Sequence, residues 1–164
     1  MKNKIITLLA MALLINACNN KEEVKNPKPK PEAPLPTVSF VKHAFILSVD
    51  SVITFDTIEF FTGKDAGKAY LTDNASADTD DVPSFYISNP EKDINSFSLS
   101  DSVVIRMQTF SNDEEGNFRF DEAVSLKTLR QIFSDSRYKH FRNVPFRITI
   151  KDSRITEIIE QYIP

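Results

Sequence analysis

Several residue types on which common protein chemistry depends are scarce in this 164-residue sequence. It contains one cysteine, two histidines, three glycines and no tryptophan. A single cysteine excludes a disulfide framework and a Cys/His zinc cage, and three glycines exclude an extended glycine-rich phosphate loop. The length suits one ordinary domain and excludes a multidomain enzyme.

The N-terminal segment has the pattern of a secretory signal. Lys2 and Lys4 precede an uncharged run over residues 5–15. This run is too short to cross a hydrocarbon layer, which needs about 20 residues. We therefore expect residues 1–17 to be a cleaved signal peptide rather than a membrane span.

The next residues resemble the lipobox of bacterial lipoproteins. Ile15-Asn16-Ala17-Cys18 places an aliphatic and a small residue before the one cysteine. The resemblance implies that cleavage falls before Cys18, that its thiol receives diacylglycerol, and that the new amine is acylated with a fatty acid such as palmitate. Three acyl chains anchor a protein stably, since each buried methylene contributes about 0.8 kcal/mol. A buried, inert cysteine in an uncleaved helix is the alternative.

The residues after Cys18 bear on the destination of the protein. Asn19 is not the aspartate associated with inner-membrane retention, so the resemblance implies a lipid-anchored protein of the outer membrane. Lys21-Glu22-Glu23 resembles the surface-export signal of lipoproteins in some Gram-negative bacteria, and ordinary solvated linker charges are the alternative. Display at the cell surface and display towards the periplasm both stay open.

Residues 24–36 are rich in proline and lysine. They hold five of the nine prolines, and proline fixes φ and removes an amide donor, so this segment cannot build a core. We expect residues 18–36 to form the lipidated cysteine and an extended spacer, which reaches roughly 55 Å over 19–36 at about 3.1 Å per residue. Recognition of the Pro-Lys repeats by a partner is the alternative.

Residues 37–164 are expected to form a single acidic domain. They carry 14 basic and 20 acidic side chains, a formal charge of −6. A chain of this size buries somewhat more than about 60% of its unfolded surface, which is enough for a core without disulfides or metals.

Apolar periodicity predicts an α+β fold for this domain. Apolar runs and alternation, which are typical of strands, recur in these segments: 44–49, 52–61, 85–87, 96–100, 103–110, 146–151 and 155–163. Two short helices are expected, one from Thr62 to about residue 72 and one after a cap at Ser125. Without regular βαβ alternation, we expect a small antiparallel sheet or a partly closed barrel of about six or seven strands.

Three stretches of the domain are similar to small secreted or lipoprotein domains to which no activity is assigned. They are Thr62-Gly63-x-x-Ala66, Tyr86-Ile87-x-Asn89-Pro90 and the ending Glu160-Gln161-Tyr162-Ile163-Pro164. The resemblance covers most of residues 44–164. It supports the domain boundary and implies no catalytic residue.

Cations and aromatic rings interleave once in this acidic domain. Guanidinium and imidazolium groups pair with phosphate, sulfate or carboxylate, and the rings can stack on a flat ligand. The sequence therefore predicts an anion patch made of Arg137, Tyr138, Lys139, His140 and Arg142. A solvated connection anchored in the core by aromatic rings is the alternative. Nucleic acid is not an expected partner, because a domain of this charge repels a phosphate backbone.

Residues 111–122 follow the ligand register of an EF-hand calcium loop. The candidate ligands at positions three, five, seven and twelve are Asp113, Glu115, Asn117 and Glu122. Ser111 stands where such loops begin with aspartate, and the preceding segment is predicted as strand rather than helix. A polar hairpin loop is therefore the alternative to calcium, and we expect no metal.

A second acidic loop contains Asp73, Asp78, Asp80 and Asp81. It lacks the positioned glycine of a calcium loop, and we expect it to be solvated.

No catalytic pattern is visible in the sequence. His43 and His140 are the two histidines, and neither lies near a nucleophile motif. We therefore expect a non-catalytic domain, without a cofactor, that binds an envelope or extracellular protein or polymer.

Two alternatives to a binding domain stay open. The first is an envelope hydrolase with Ser/His or carboxylate chemistry, which requires a histidine in a cleft beside a carboxylate and a hydroxyl. The second is a periplasmic structural or assembly factor that pairs with a partner through an exposed strand edge at residues 155–163.

Overall fold

A computed structural model of the chain describes residues 39–78, 80 and 82–163. This part of the chain folds into six strands, two α-helices and one 3₁₀ segment. In chain order they are β1 (Ser39–Val49), β2 (Val52–Thr62), α1 (Gly63–Asp73), β3 (Phe85–Met107), β4 (Glu122–Ala123), α2 (Leu126–Ser134), the 3₁₀ segment Ser136–Asn143, β5 (Pro145–Lys151) and β6 (Arg154–Glu160). The predicted α+β class is confirmed.

The strand pairings form a closed circuit. β1 pairs with β2 and β5, β3 pairs with β2 and β6, and β5 pairs with β6, while β4 adds two residues to β3. The pairing of β3 with β6 is parallel and the others are antiparallel, so the sheet is mixed. This is the connectivity of five-stranded Greek-key barrels of the OB type, and connectivity alone assigns no function. Register shifts interrupt four of the pairings, and the circuit is not a regular barrel.

One apolar core is shared by the long strands and α2. The fully buried side chains include Ile46 of β1, Phe55 of β2 and Phe146 of β5. The apolar stripe of α2 packs onto the same core through Leu129 and Ile132. Each such side chain stabilises the fold by about 1.5–3 kcal/mol relative to exposure.

Local turn signals account for the two hairpins. Asp50 and Ser51 connect β1 to β2, as predicted. Asp152 and Ser153 connect β5 to β6 with φ values of 49° and 61°. Two positive φ angles are typical of the mirror-image turns whose twist matches that of the flanking strands.

The two helices begin in different ways. The Ser125 hydroxyl at the start of α2 accepts a hydrogen bond from the Thr128 amide at 3.1 Å, so the predicted cap is confirmed. Thr62 at the start of α1 makes no side-chain capping bond. The capping pattern in the sequence therefore marks the position of α1 without supplying its cap.

β3 is longer than the sequence predicts. Three predicted strands merge into this single strand of 23 residues. Residues 89–92 have no partner in β2, because the register shifts between Thr57 and Glu59. Pro90 lies in this bulge, where its missing amide costs no ladder hydrogen bond.

β6 is not the exposed edge that the assembly alternative requires. It pairs with β5 on one side and with β3 on the other. Five residues of β6 pair on both sides: Arg154, Ile155, Glu157, Ile158 and Ile159. The assembly interpretation loses the strand edge on which it depended.

Candidate functional site

A cleft of about 410 Å³ lies between α1 and the neighbouring strands β2 and β3. We call it the α1 cleft. Its volume falls within the range of about 300–1,000 Å³ that is typical of small-molecule sites. It is lined by Glu59, Phe61, Asp65, Lys68, Ala69, Thr72, Asp73 and Ser88.

Carboxylates outnumber cations in the α1 cleft. Glu59, Asp65 and Asp73 contribute carboxylates, and Lys68 is the one cation among the lining residues. The Lys68 Nζ lies 3.5 Å from the Asp65 Oδ1. Phe61 adds an apolar wall. Such a lining suits a positively charged group on an apolar body.

Asp73, the last residue of α1, ties the helix to β3. Its Oδ2 accepts hydrogen bonds from the Tyr86 hydroxyl at 3.1 Å and from the buried Ser88 hydroxyl at 2.8 Å. Partial desolvation, and then the hydrogen bond to Asp73, raise the pKa of Tyr86 above its ordinary value. Tyr86 therefore stays a hydrogen-bond donor at neutral pH, and this side of the cleft is held in place by side-chain bonds.

Two further clefts continue from the α1 cleft along β3. One, of about 390 Å³, shares Asp73 and Ser88 with it, and another, of about 300 Å³, shares Glu59 and Ser88. Asn89 and Pro90 line both of these clefts. The bulge in β3 therefore shapes the surface beside α1.

Asp56 of β2 holds this bulge in place. Its role was not predicted from the sequence. It is 6% exposed, and its two carboxylate oxygens accept hydrogen bonds from the Asp93 amide at 2.9 Å and the Asn89 side-chain amide at 3.1 Å. These donors offset the desolvation of the charge. The one available signal was an aspartate in the middle of an apolar strand.

The predicted anion patch lies on the 3₁₀ segment, where its first member is already paired. Arg137 holds Asp135 through two nitrogens, with Nη2 at 2.6 Å and Nε at 2.9 Å from Oδ2. This pair lowers the pKa of Asp135 and raises that of Arg137. The Arg137 guanidinium also lies over the Tyr138 ring, which packs against Phe110 and Phe141.

The remaining side chains of the patch have separate surroundings. Lys139 is exposed, and the His140 ring packs against Phe141 at a centroid distance of 4.2 Å. The Arg142 Nη2 donates to the main-chain oxygen of Phe133 at 3.1 Å. Among the predicted patch residues, Arg142 is the one that lines a cleft described here, and it does so with residues from other elements.

The candidate calcium loop forms a hairpin turn, with an antiparallel bridge between Asn112 and Phe118. The Asp113 Oδ1 accepts hydrogen bonds from the main-chain amides of Asn117 at 2.8 Å and Glu115 at 3.1 Å. These bonds, led by the one from Asn117, lower the pKa of Asp113. Glu122 of β4 instead accepts a hydrogen bond from the Ser111 hydroxyl at 2.6 Å.

The calcium candidate stays a prediction, and the arrangement of these side chains does not support it. Within residues 39–78, 80 and 82–163, no three His, Cys, Asp or Glu side chains are grouped so that they could hold a metal ion. Asp113, Glu115 and Glu122 belong to this range. The Asp113 carboxylate accepts hydrogen bonds within the turn, and the Glu122 carboxylate accepts one from Ser111.

The second acidic loop is divided between structural elements. Asp73 belongs to α1, and the Asp78 carboxylate accepts a hydrogen bond from the Asp80 amide at 3.1 Å. Asp81 lies outside the described residues.

Neither histidine lies among the lining residues of the four clefts described here. His43 stacks on Phe60 at a centroid distance of 5.1 Å. Burial lowers its pKa below the ordinary value, opposed by a hydrogen bond to Gln161. His140 packs on Phe141. The hydrolase alternative therefore has no histidine to place in these clefts.

Glu160 is a second buried carboxylate that the sequence analysis missed. It is 2% exposed. Its carboxylate accepts hydrogen bonds from the main-chain amides of Gln108 at 2.7 Å and Thr109 at 3.0 Å, and from the Thr109 hydroxyl. These bonds join the end of β6 to the residues that follow β3, so Glu160 has a structural role.

The lipobox with Cys18, the Lys21-Glu22-Glu23 stretch and the spacer lie outside the described residues. In the part of the chain that is described, no helix is both long enough and apolar enough to cross a membrane. No known protein family matches the chain, and no curated protein or solved structure is significantly similar to it.

Proposed function

We propose that this protein is a lipid-anchored component of the bacterial outer membrane whose domain binds a ligand in the α1 cleft without catalysing a reaction. The lipobox ending at Cys18 supports the anchor. The observation that carries the binding function is the 410 Å³ cleft, in which three carboxylates accompany a single lysine.

The charge of the surrounding region indicates the class of ligand. Residues 56–93 contain nine acidic and three basic side chains, a formal charge of −6. A region of one sign raises the local concentration of oppositely charged groups. The ligand proposed is a cationic group, such as an ammonium, carried by an envelope or extracellular protein or polymer.

A short oligolysine peptide tests the binding site, with the acetylated peptide as the uncharged control. Acetylation removes the positive charge of each lysine. We expect the charged peptide to bind the full chain and the acetylated peptide to bind far more weakly. Calorimetric titration measures both affinities.

Variants of the cleft separate specific binding from general attraction to an acidic protein. Glu59→Gln and Asp65→Asn each remove one cleft carboxylate, and we expect each to weaken peptide binding. Glu114→Gln removes one exposed charge in the loop before β4 and serves as the matched control. Equal weakening by all three variants would contradict binding in the α1 cleft.

The anchor and the orientation are tested in cells. Metabolic labelling with a palmitate analogue should label the native chain and not the Cys18→Ser variant. Protease accessibility of the domain on intact and permeabilised cells then reports its side of the membrane. Loss of surface accessibility after joint alanine substitution of Lys21, Glu22 and Glu23 would support the export signal, and an unlabelled native chain would contradict the anchor.

A further inference from the structure

A second groove, of about 210 Å³, lies where the β1–β2 turn meets α2 and the end of the 3₁₀ segment. We call it the arginine groove. It is lined by Leu47, Ser48, Val49, Asp50, Arg130, Phe133, Ser134 and Arg142. Its volume is smaller than that of typical small-molecule sites, which start at about 300 Å³. It therefore suits a single small group rather than a whole extended ligand.

Two guanidinium groups in this groove are fixed by main-chain oxygens. The Arg130 Nη2 donates to the oxygen of Asp50 at 2.9 Å, and the Arg142 Nη2 donates to the oxygen of Phe133 at 3.1 Å. Each guanidinium has five N–H donors in a planar fork. One donor from each is used in these bonds, so several others stay available to a ligand.

Neither of these guanidinium groups is neutralised as Arg137 is. In the described part of the chain, no salt bridge joins Arg130 or Arg142 to a carboxylate. Asp50 is the one acidic residue in the lining, and it is the main-chain oxygen of Asp50 that holds Arg130.

The segment of the chain that supplies both arginines of the groove is strongly basic. Residues 124–154 contain eight basic and two acidic side chains, a formal charge of +6. All eight basic residues are exposed: Lys127, Arg130, Arg137, Lys139, Arg142, Arg147, Lys151 and Arg154. Salt screens charges beyond about 10 Å, so the potential in the groove depends mainly on the charges close to it. Arg130 and Arg142 are the cations among its lining residues, and they attract anions despite the acidic charge of the whole domain.

We propose that the arginine groove binds a phosphoryl or sulfate group. Guanidinium forks match the oxygens of tetrahedral oxyanions and can bind them through two parallel hydrogen bonds. Ser48 and Ser134 are polar residues of the same lining, and the Ser134 hydroxyl donates to the main-chain oxygen of Gln131 at 3.2 Å. This site shares only Arg142 with the anion patch predicted from the sequence, and it shares no lining residue with the α1 cleft.

Titration of the full chain with inorganic phosphate and with sulfate at constant ionic strength tests the proposal. We expect saturable binding, and the NMR signals of the Arg130 and Arg142 side chains report it. Arg130→Gln and Arg142→Gln should each weaken binding by roughly tenfold or more, as expected for loss of charge-assisted hydrogen bonds. Arg142→Lys keeps the charge and loses the planar fork, and it should also weaken binding.

Matched controls separate the groove from the general basic field. Arg147→Gln removes an equal charge from the same basic region without touching the groove, and phosphate affinity should stay near that of the native chain. Unfolding curves show whether each variant is folded. Absence of saturable binding, or equal weakening by Arg147→Gln, would overturn the proposal.

A further arm distinguishes the source of the anionic group. Glycerophosphoglycerol, the deacylated form of a phospholipid, presents the phosphodiester of a lipid headgroup in soluble form. Binding of this compound as tightly as inorganic phosphate supports a headgroup ligand, whereas binding of inorganic phosphate alone supports a free ion. Failure of both to bind overturns the anion site and leaves the α1 cleft untouched.

Discussion

The β2–α1–β3 region and the C-terminal region around α2 use charged side chains in opposite ways. In the first, the carboxylates of Asp56 and Asp73 accept hydrogen bonds from β3 and its bulge. In the second, Arg130 and Arg142 donate to main-chain oxygens. A carboxylate that accepts two hydrogen bonds has few sites left, whereas a guanidinium that donates one keeps several donors.

The two regions also differ in what holds them together. Side-chain hydrogen bonds join α1 and the bulge to the strands beside them. Asp56, which accepts two of these bonds, is buried. α2 is held by an apolar stripe against the core, and the eight basic residues of segment 124–154 are exposed. In the acidic region the carboxylates of Asp56 and Asp73 therefore support the fold, whereas Arg130 and Arg142 of the basic region keep unused donors for a ligand. Glu59 and Asp65 are the cleft carboxylates that we propose to bind a cation.

The largest effect is expected at Glu160, which tests whether buried carboxylates support the fold. Glu160→Ala leaves two main-chain amides and a hydroxyl without their acceptor, and we expect it to lower the free energy of unfolding by about 3 kcal/mol. Glu157 is a half-buried residue of the same strand. Glu157→Ala removes one hydrogen bond, which Thr149 donates, and should cost about 1 kcal/mol or less. Denaturant unfolding measures both, and equal losses would contradict the role of Glu160.

A smaller effect is expected at Asp56 within the acidic region itself. Asp56→Ala removes the acceptor of the Asp93 amide and of the Asn89 side chain, and it should cost about 2 kcal/mol. Asp65→Ala on exposed α1 should change stability by no more than about 0.5 kcal/mol. Hydrogen exchange of the Asp93 amide provides the local readout. Unchanged protection of this amide in Asp56→Ala would contradict the role of Asp56 in holding the bulge.

The two helix starts provide the next comparison. Ser125→Ala removes the capping bond to Thr128 and should destabilise the protein by about 1 kcal/mol. Thr62 makes no side-chain capping bond, so Thr62→Ala should change stability by no more than about 0.5 kcal/mol. Thermal unfolding of both variants is the measurement, and the reverse order would show that α1 is the capped helix in solution.

The smallest effect concerns pH and His43. Burial lowers the pKa of His43 in the folded state, so between that pKa and the unfolded value of about 6.5 the unfolded chain binds more protons. Stability contributed by neutral His43 is therefore complete above about pH 6.5 and declines as pH falls towards the folded pKa. His43→Phe preserves an aromatic ring beside Phe60 and should remove this decline, which unfolding curves across the pH range can detect.

The sequence predicted the parts of the fold that depend on neighbours in the chain. The β1–β2 and β5–β6 hairpins follow from alternation and short polar turns, and α2 follows from Ser125 and its apolar stripe. The continuity of β3 was missed, because the polar residues around Pro90 and the pair Asp101-Ser102 are also typical of breaks between strands. The parallel pairing of β3 with β6 joins distant segments and leaves no local pattern.

The candidate sites were harder to predict than the strands. The α1 cleft depends on the packing of a helix against a bulge, and Arg130 reaches the Asp50 oxygen across 80 positions of sequence. The predicted anion patch joined residues that are adjacent in sequence, but Arg137 is paired with Asp135 and Arg142 faces another element. Charge in the sequence indicated the region, and only the fold shows which cations share a groove.

One NMR titration of the isotopically labelled full chain shows whether the two charged regions bind partners of opposite charge. Oligolysine and inorganic phosphate are added separately at the same ionic strength. We expect oligolysine to shift the amide signals of residues lining the α1 cleft, such as Glu59 and Ser88, and phosphate to shift those around Arg130 and Arg142. Shifts spread over all exposed charges, or both probes acting on one region, would contradict it.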